Sequence, residues 1–296
     1  MQHVIAIIGP TASGKSSLAL ALAKRLHGEI ISADSRQVYR GLDLGSGKVS
    51  RAEQRAVPHH LLDVADLKRT YTAAHFVRDG QRAIHTLLRH NTIPIVVGGT
   101  GFWIDALLRG QTLPAVPPNP ALRKRLAKRT AAQLYAKLKR LDPRRAAVID
   151  ARNPVRLIRA LEIILATGAV VPQRKNFSRY NVLWLGTRHA KKHLDRRIHL
   201  RLLQRLRRGL IAEVRGLLRK GVPAKRLVAL GLEYRYVTLY LQGKMTKTAM
   251  QEQLERAIQQ YAKRQMTWFK RHKDIHWISG EAHAQQIARR WLERYS

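Results

Sequence analysis

Gly9-Pro10-Thr11-Ala12-Ser13-Gly14-Lys15-Ser16 follows the apolar run Val4-Ile5-Ala6-Ile7-Ile8 and leads into Ser17-Leu18-Ala19-Leu20-Ala21-Leu22-Ala23-Lys24-Arg25-Leu26. Worked outward from the glycines, this is a strand, a tight turn and a helix, the setting a P-loop requires. Gly9 and Gly14 let the backbone curl until successive N–H groups point into one hollow. The helix N-terminus behind it adds partial positive charge for an anion. Lys15 is placed to clamp the outer phosphate oxygens and the Ser16 hydroxyl to hold Mg²⁺. Phosphate binding is therefore the first expectation.

The loop leaves the reaction open. A phosphotransferase of this architecture carries a second carboxylate for the metal at the end of an apolar strand. The best later strand, Ile93-Pro94-Ile95-Val96-Val97, ends instead in Gly98-Gly99-Thr100-Gly101, where Thr100 can donate to a phosphate or a developing charge. Glu29-Ile30-Ile31-Ser32-Ala33 does end in Asp34, but the polar run Ser35-Arg36-Gln37-Val38-Tyr39-Arg40-Gly41 after it reads as a substrate loop at the carboxyl edge of a sheet. Asp34 can also cap the next turn. The loop thus suits a diphosphate that leaves as well as a phosphoryl group that moves.

The chain has 296 residues, 45% of them hydrophobic, enough for one large domain or a domain with an insertion. Lys and Arg number 56 against 19 Asp and Glu, for a formal charge of +37. That excess exceeds what solubility needs and points to a polyanionic partner. Cysteine is absent, which excludes disulfides, thiolate zinc sites and cysteine nucleophiles. The first strand begins at once, leaving no room for a signal peptide, and no apolar run approaches the roughly 20 residues of a membrane span. A cytoplasmic protein without membrane attachment is expected.

Leu42 to Val57 shows no sustained period and reads as a mobile surface loop, with Lys48 a weak phosphate candidate. His59 and His60 point to opposite faces of a strand, which suits structural roles better than a metal. A helix from Tyr71 to about Leu88 follows. Pro114, Pro117, Pro118 and Pro120 mark a boundary, and helices are expected over 120–128, 130–141 and 153–167, the last ended by Gly168. Fifteen Lys and Arg stand between 112 and 176 against Asp142, Asp150 and Glu162, a field suited to a nucleic-acid backbone. Asn181 to Gly186 resumes the core as a strand. Long basic helices are expected over 189–220 and 246–273, with Arg197 and Arg201 one turn apart and able to reach one anion. The strand 275–278 and a final helix from Ala282 close the chain. The fold class is α/β, a P-loop NTPase-like parallel sheet flanked by helices. Residues 1–111 and 177–296 form its core, and 112–176 an all-helical insertion.

The stretches Gly9–Ser16, Ser32-Ala33-Asp34-Ser35-Arg36-Gln37-Val38-Tyr39-Arg40-Gly41-Leu42-Asp43, His59-His60-Leu61-Leu62-Asp63, Gly98-Gly99-Thr100-Gly101, Asn153-Pro154-Val155-Arg156-Leu157-Ile158-Arg159-Ala160-Leu161-Glu162 and Gly209-Leu210-Ile211-Ala212-Glu213-Val214 occur in this order over nearly the whole chain. Together they resemble the tRNA dimethylallyltransferases. The resemblance implies transfer of a dimethylallyl group from dimethylallyl diphosphate to the exocyclic amine of the adenine beside the anticodon. It implies that Thr11 to Ser16 cradle the diphosphate, that Asp34 is the general base, and that Thr100 and Arg123 serve the transfer. It further implies that Asp34, Ser35, Arg36 and Gln37, with Val155, Arg156, Leu157, Ile158 and Arg159, meet the tRNA anticodon stem-loop. A monomer is expected. The sequence departs from the family at Ser46-Gly47-Lys48-Val49, at Phe102-Trp103 and at Ala229 to Tyr234. The rival readings are an adenylate isopentenyltransferase acting on free AMP, ADP or ATP, and a P-loop small-molecule kinase.

Overall fold

The computed structural model describes residues 2–111, 113–168 and 178–294. Residues Met1–Gly110 and Ser178–Ser296 make one compact unit, and Gln111–Phe177 a second. Arg174, Lys175 and the far boundary expected for the insertion lie outside the described residues.

The first unit opens with strand β1 (Gln2–Ile8), helix α1 (Lys15–Leu26) and strand β2 (Gly28–Ala33). A short helix α2 (Arg51–Ala56), strand β3 (His59–His60), helix α3 (Ala73–Arg89), strand β4 (Ile93–Gly98) and helix α4 (Gly101–Leu108) follow. The second unit is built from helices α5 (Pro120–Leu126), α6 (Ala131–Leu141), α7 (Pro143–Val148) and α8 (Pro154–Thr167). The chain then returns through β5 (Tyr180–Thr187), α9 (Lys191–Arg207), α10 (Leu210–Arg219), α11 (Ala224–Leu230), α12 (Leu232–Leu241), α13 (Lys247–Phe269), β6 (Ile275–Ile278) and α14 (Glu281–Glu293).

The six strands form one parallel sheet in the order β3-β2-β4-β1-β5-β6. Both faces are covered, which is why the strands read as continuous apolar runs. Along β1 the side chains alternate: Ile5 and Ile7 pack with Leu18, Leu22 and Ala284 of α1 and α14, while Val4, Ala6 and Ile8 pack with Phe76, Ile104 and Phe269 on the other face. β1 has β4 on one side and β5 on the other, so its carboxyl end is where the connections diverge. That end carries Gly9–Ser16.

Two long helices are shorter than the sequence suggests. Gly209, with a φ of 100°, breaks the expected 189–220 helix into α9 and α10, because a left-handed residue cannot continue a right-handed turn. Thr246 caps α13 through the Ala249 N–H, and the helix stops at Phe269. The stretch expected as a mobile loop contains α2, started by a Ser50–Glu53 capping box. Lys48 is no phosphate ligand here. Its side chain is 2% exposed and turned inward between Asp43 and Asp63, at 2.6 and 2.5 Å. Among the described residues no helix is long and apolar enough to cross a membrane.

The second unit has its own core, in which Leu126, Leu134, Leu138, Ala146, Leu157 and Leu161 meet. Asn119, Thr130, Asp142 and Asn153 each accept a backbone N–H at the start of one of its four helices. Gly168, at a φ of 65°, ends α8 as the sequence predicts.

Candidate active site

The loop between β1 and α1 is held from three directions by the protein itself. The Thr11 N–H donates to Gln265 Oε1 at 2.8 Å, and Gln265 Nε2 donates to the Gly99 carbonyl at 2.9 Å. One amide on α13 thereby ties the loop after β1 to the loop after β4. The Ser13 and Thr187 hydroxyls share a hydrogen bond of 2.6 Å, and Arg197 Nε donates to the Ala12 carbonyl at 2.7 Å. Ala12 itself sits at a φ of 61°, a conformation an alanine holds only when its neighbours impose it. It packs with Leu194, Ile198, Leu254 and Ile258, where α9 crosses α13 over the loop.

Lys15 turns back to donate to the Pro10 carbonyl at 2.6 Å. Burial first, and Arg201 second, push its ammonium down to about 7, with Asp34 opposing them. Ser16, exposed at the start of α1, lines the same cleft as Thr11 and Lys15.

The carboxylate side is equally ordered. Asp34 Oδ1 accepts the Arg36 N–H at 2.8 Å and the Gln37 N–H at 3.4 Å, so the capping role and the place on the rim coexist. Thr100 accepts the Ser35 N–H at 3.2 Å and pairs with the buried Tyr261 hydroxyl. Burial and Asp34 both raise the Tyr261 phenol, so it stays protonated. Arg36 donates to the Leu230 carbonyl at 2.8 Å and lies 5.8 Å from the Tyr261 ring centroid. Gln37 accepts from Ser32 at 2.8 Å and donates to the Gly47 carbonyl at 3.2 Å. Of the four residues from 34 to 37, then, Asp34, Arg36 and Gln37 line the pocket, and Ser35 ties the loop to Thr100.

Most of these groups line one open-mouthed cleft, whereas Ser35 and Thr100 stand behind its wall. Lys15, Ser16, Asp34, Arg201 and Tyr261 all face it. Arg201 is drawn down to about 10 by burial and then by Arg205, with Glu233 and Asp34 holding it up, so it remains a cation at neutral pH. Arg201 lines the cleft, and Arg197 braces Ala12 through Nε. His60 pairs with Glu29 at 2.6 Å, a structural role as expected, but His59 lines the cleft.

A family model described as IPP transferase matches residues 37–272. The chain belongs to the IPP transferase family. A tRNA dimethylallyltransferase of Thermomicrobium roseum is 40% identical, over 93% of this chain and 85% of its own length. Among solved structures, a tRNA isopentenylpyrophosphate transferase of Bacillus halodurans superposes with a TM-score of 0.71 at 35% identity, over 94% of this chain and 90% of its own. A eukaryotic dimethylallyltransferase acting on tRNA reaches a TM-score of 0.83 at 25% identity, over 97% of this chain and 78% of its own. The model's match begins after Gly9–Ser16, so the phosphate loop of this IPP transferase is read from its own geometry.

Several cleft residues of this IPP transferase escape a motif search. Tyr261 and Gln265 stand one turn apart on the face of α13 that also carries Ile258 and Ala262. Two polar side chains inside an apolar helical stripe are the signal that could have revealed them. Arg205 and Glu233, joined at 2.8 Å, come from α9 and α12, and no sequence spacing links them.

In the second unit the structure sorts the residues expected on RNA. Leu157 is fully buried, so its side chain meets the core and not a partner, and Ile158 is partly buried against the same core. Arg159 donates to Glu162 at 2.5 Å and to the Val116 carbonyl at 2.8 Å. Arg123 forms a two-pronged contact with Glu162 at 2.8 and 2.7 Å. Burial alone would raise the Glu162 carboxyl, but Arg123, the Asn119 N–H and Arg159 bring it down to about 2. Val155 and Arg156 remain exposed, as do Lys124, Arg125, Lys128, Arg129, Lys139 and Arg140.

Proposed function

We propose that this IPP transferase moves the dimethylallyl group of dimethylallyl diphosphate onto the exocyclic amine of the adenine beside a tRNA anticodon, releasing diphosphate. The observation that carries the reading is that Asp34 lines the same cleft as Lys15, Ser16 and the half-buried Arg201. One carboxylate thus shares a pocket with a set of anion-binding groups. An adenine amine is a poor nucleophile because its lone pair is delocalised into the ring, so a carboxylate that accepts its proton during attack lowers the barrier. Diphosphate departs more readily when Lys15, Arg201 and loop N–H groups meet its growing charge. Thr100, bonded to the Ser35 N–H and the Tyr261 hydroxyl, braces the Asp34 loop.

The exposed Ser16 hydroxyl in the cleft fits Mg²⁺ as an ion bound chiefly through substrate: Ser16 would hold it beside the diphosphate, where it would supply charge neutralisation for the leaving group. The second unit is read as the RNA-binding part. Two of its three acids, Asp142 and Glu162, are buried, while most of its Lys and Arg face solvent. The surface is therefore more uniformly positive than the composition implies. Binding energy from the stem would hold a flipped adenine beside Asp34.

Labelled dimethylallyl diphosphate with an anticodon stem-loop, intact tRNA or AMP tests the reading. Label in both RNAs and negligible label in AMP at equal concentration is the expected outcome. Equal rates on AMP and stem-loop would replace tRNA with a free adenylate as substrate.

A further inference from the structure

One wall of the cleft, Gly45-Ser46-Gly47 with Val49, lies in a segment without regular structure, yet it touches the most highly charged side chains of the site. A methyl group on Gly47 would land on the Arg205 guanidinium and 2.6 Å from that of Arg201. Gly45 is pressed as closely on Tyr234, where a methyl would fall 2.5 Å from Cζ. The wall is thus the surface on which two cationic heads rest, and its position sets theirs.

What holds it is a carboxylate outside the cleft. Glu213 of α10 accepts the backbone N–H groups of Asp43 at 3.1 Å, Leu44 at 2.6 Å and Gly45 at 3.1 Å. The Tyr234 hydroxyl donates to the same carboxylate at 2.9 Å, and Tyr234 is fully buried. Four donors on one ionised acceptor make a charge-assisted cluster, stronger and more directional than neutral hydrogen bonds. Lys48, between Asp43 and Asp63, and Gln37, on the Gly47 carbonyl, hold the other end of the segment.

We propose that Glu213, oriented by Tyr234, is a positioning residue for the donor diphosphate. By gathering the N–H groups of residues 43–45 it fixes the wall that props Arg201 and Arg205 in the cleft. The proposal rests on the diphosphate reading above. Glu213→Gln keeps the volume and removes the charge, and its amide turns an NH₂ donor toward N–H groups that need an acceptor. Tyr234→Phe removes the orienting hydroxyl and keeps the ring behind Gly45.

The test is steady-state kinetics with dimethylallyl diphosphate and an anticodon stem-loop, together with calorimetric titration by inorganic diphosphate, on the full-length wild type and both variants. Loss of charge-assisted hydrogen bonds should raise the KM for the donor and the Kd for inorganic diphosphate about tenfold in Glu213→Gln. Tyr234→Phe should move both constants in the same direction by less, with the KM for the stem-loop and the kcat nearly unchanged in each. A fold-wide effect would instead raise both KM values together, and that result overturns the proposal. So does a diphosphate Kd within twofold of wild type in a folded variant. Should Glu213→Gln not fold, Tyr234→Phe decides by the same criteria. Wild-type protein that binds inorganic diphosphate but transfers nothing would count against the donor reading, while the titrations would still judge Glu213.

Discussion

Lys15 is the residue whose chemistry is most exposed to measurement. Burial and Arg201 hold its ammonium down at about 7, so both protonation states are populated at neutral pH. A bound polyanion favours the charged form, and binding therefore takes up a proton. Calorimetry with inorganic diphosphate in buffers of different ionisation enthalpy should show uptake on the order of half a proton at pH 7 beyond that of Lys15→Met. The affinity advantage of wild type over that variant should fall as pH rises above 7. The variant should have lost turnover while still binding tRNA. Asp34 makes the opposite kind of test, because it acts on the acceptor: Asp34→Asn should slow the chemical step by about 10²-fold or more. A loss confined to KM would make it a binding residue.

At the level of elements, α13 matters most to the site and was least visible as such. Its length and basic surface are plain in the sequence, but Gln265 gains meaning only when the sheet brings Gly99 and Thr11 to either side of it. Gln265→Ala leaves a buried carbonyl and a loop N–H without that partner, which should cost about 1–3 kcal/mol in denaturant unfolding and raise the donor KM. The strands, the glycine loop and the cap residues were legible because each is a local pattern of two to eight residues. Arg205 with Glu233, and Tyr261 with Thr100, were not, because tertiary packing alone makes those pairs. Lys48 misled for the same reason: a lysine in a glycine-rich stretch looks free until Asp63, fifteen positions later, closes on it. The join between α5 and α8 offers a pH test. The Glu162 carboxyl titrates near 2 in the folded chain against a usual 4.5, so its contribution to stability is complete above 4.5 and is lost as pH falls toward 2. Acid unfolding of full-length protein should show this window, and Glu162→Gln should lack it.

For the molecule as a whole, the question is where a charge of +37 meets its partner. Arg156 is exposed, whereas Arg159 is engaged with Glu162 and Val116. Arg156→Gln should therefore lower the slope of log affinity against log salt for tRNA by roughly 0.7 to 0.9, and Arg159→Gln should lower the unfolding midpoint instead. A shared effect on the slope would mean that Arg159 leaves its carboxylate when RNA binds. The sheet order sets a further constraint, this one on biosynthesis. β1 leaves the ribosome before the other strands of this sheet, yet its second neighbour, β5, ends only at Thr187. While the intervening residues are made, β1 has one edge paired with β4 and the other unpaired, and its apolar faces lack α13 and α14. The nascent chain must shelter that edge for as long as the whole second unit takes to emerge, so premature strand pairing, rather than any weakness of the finished fold, is where this architecture is most vulnerable.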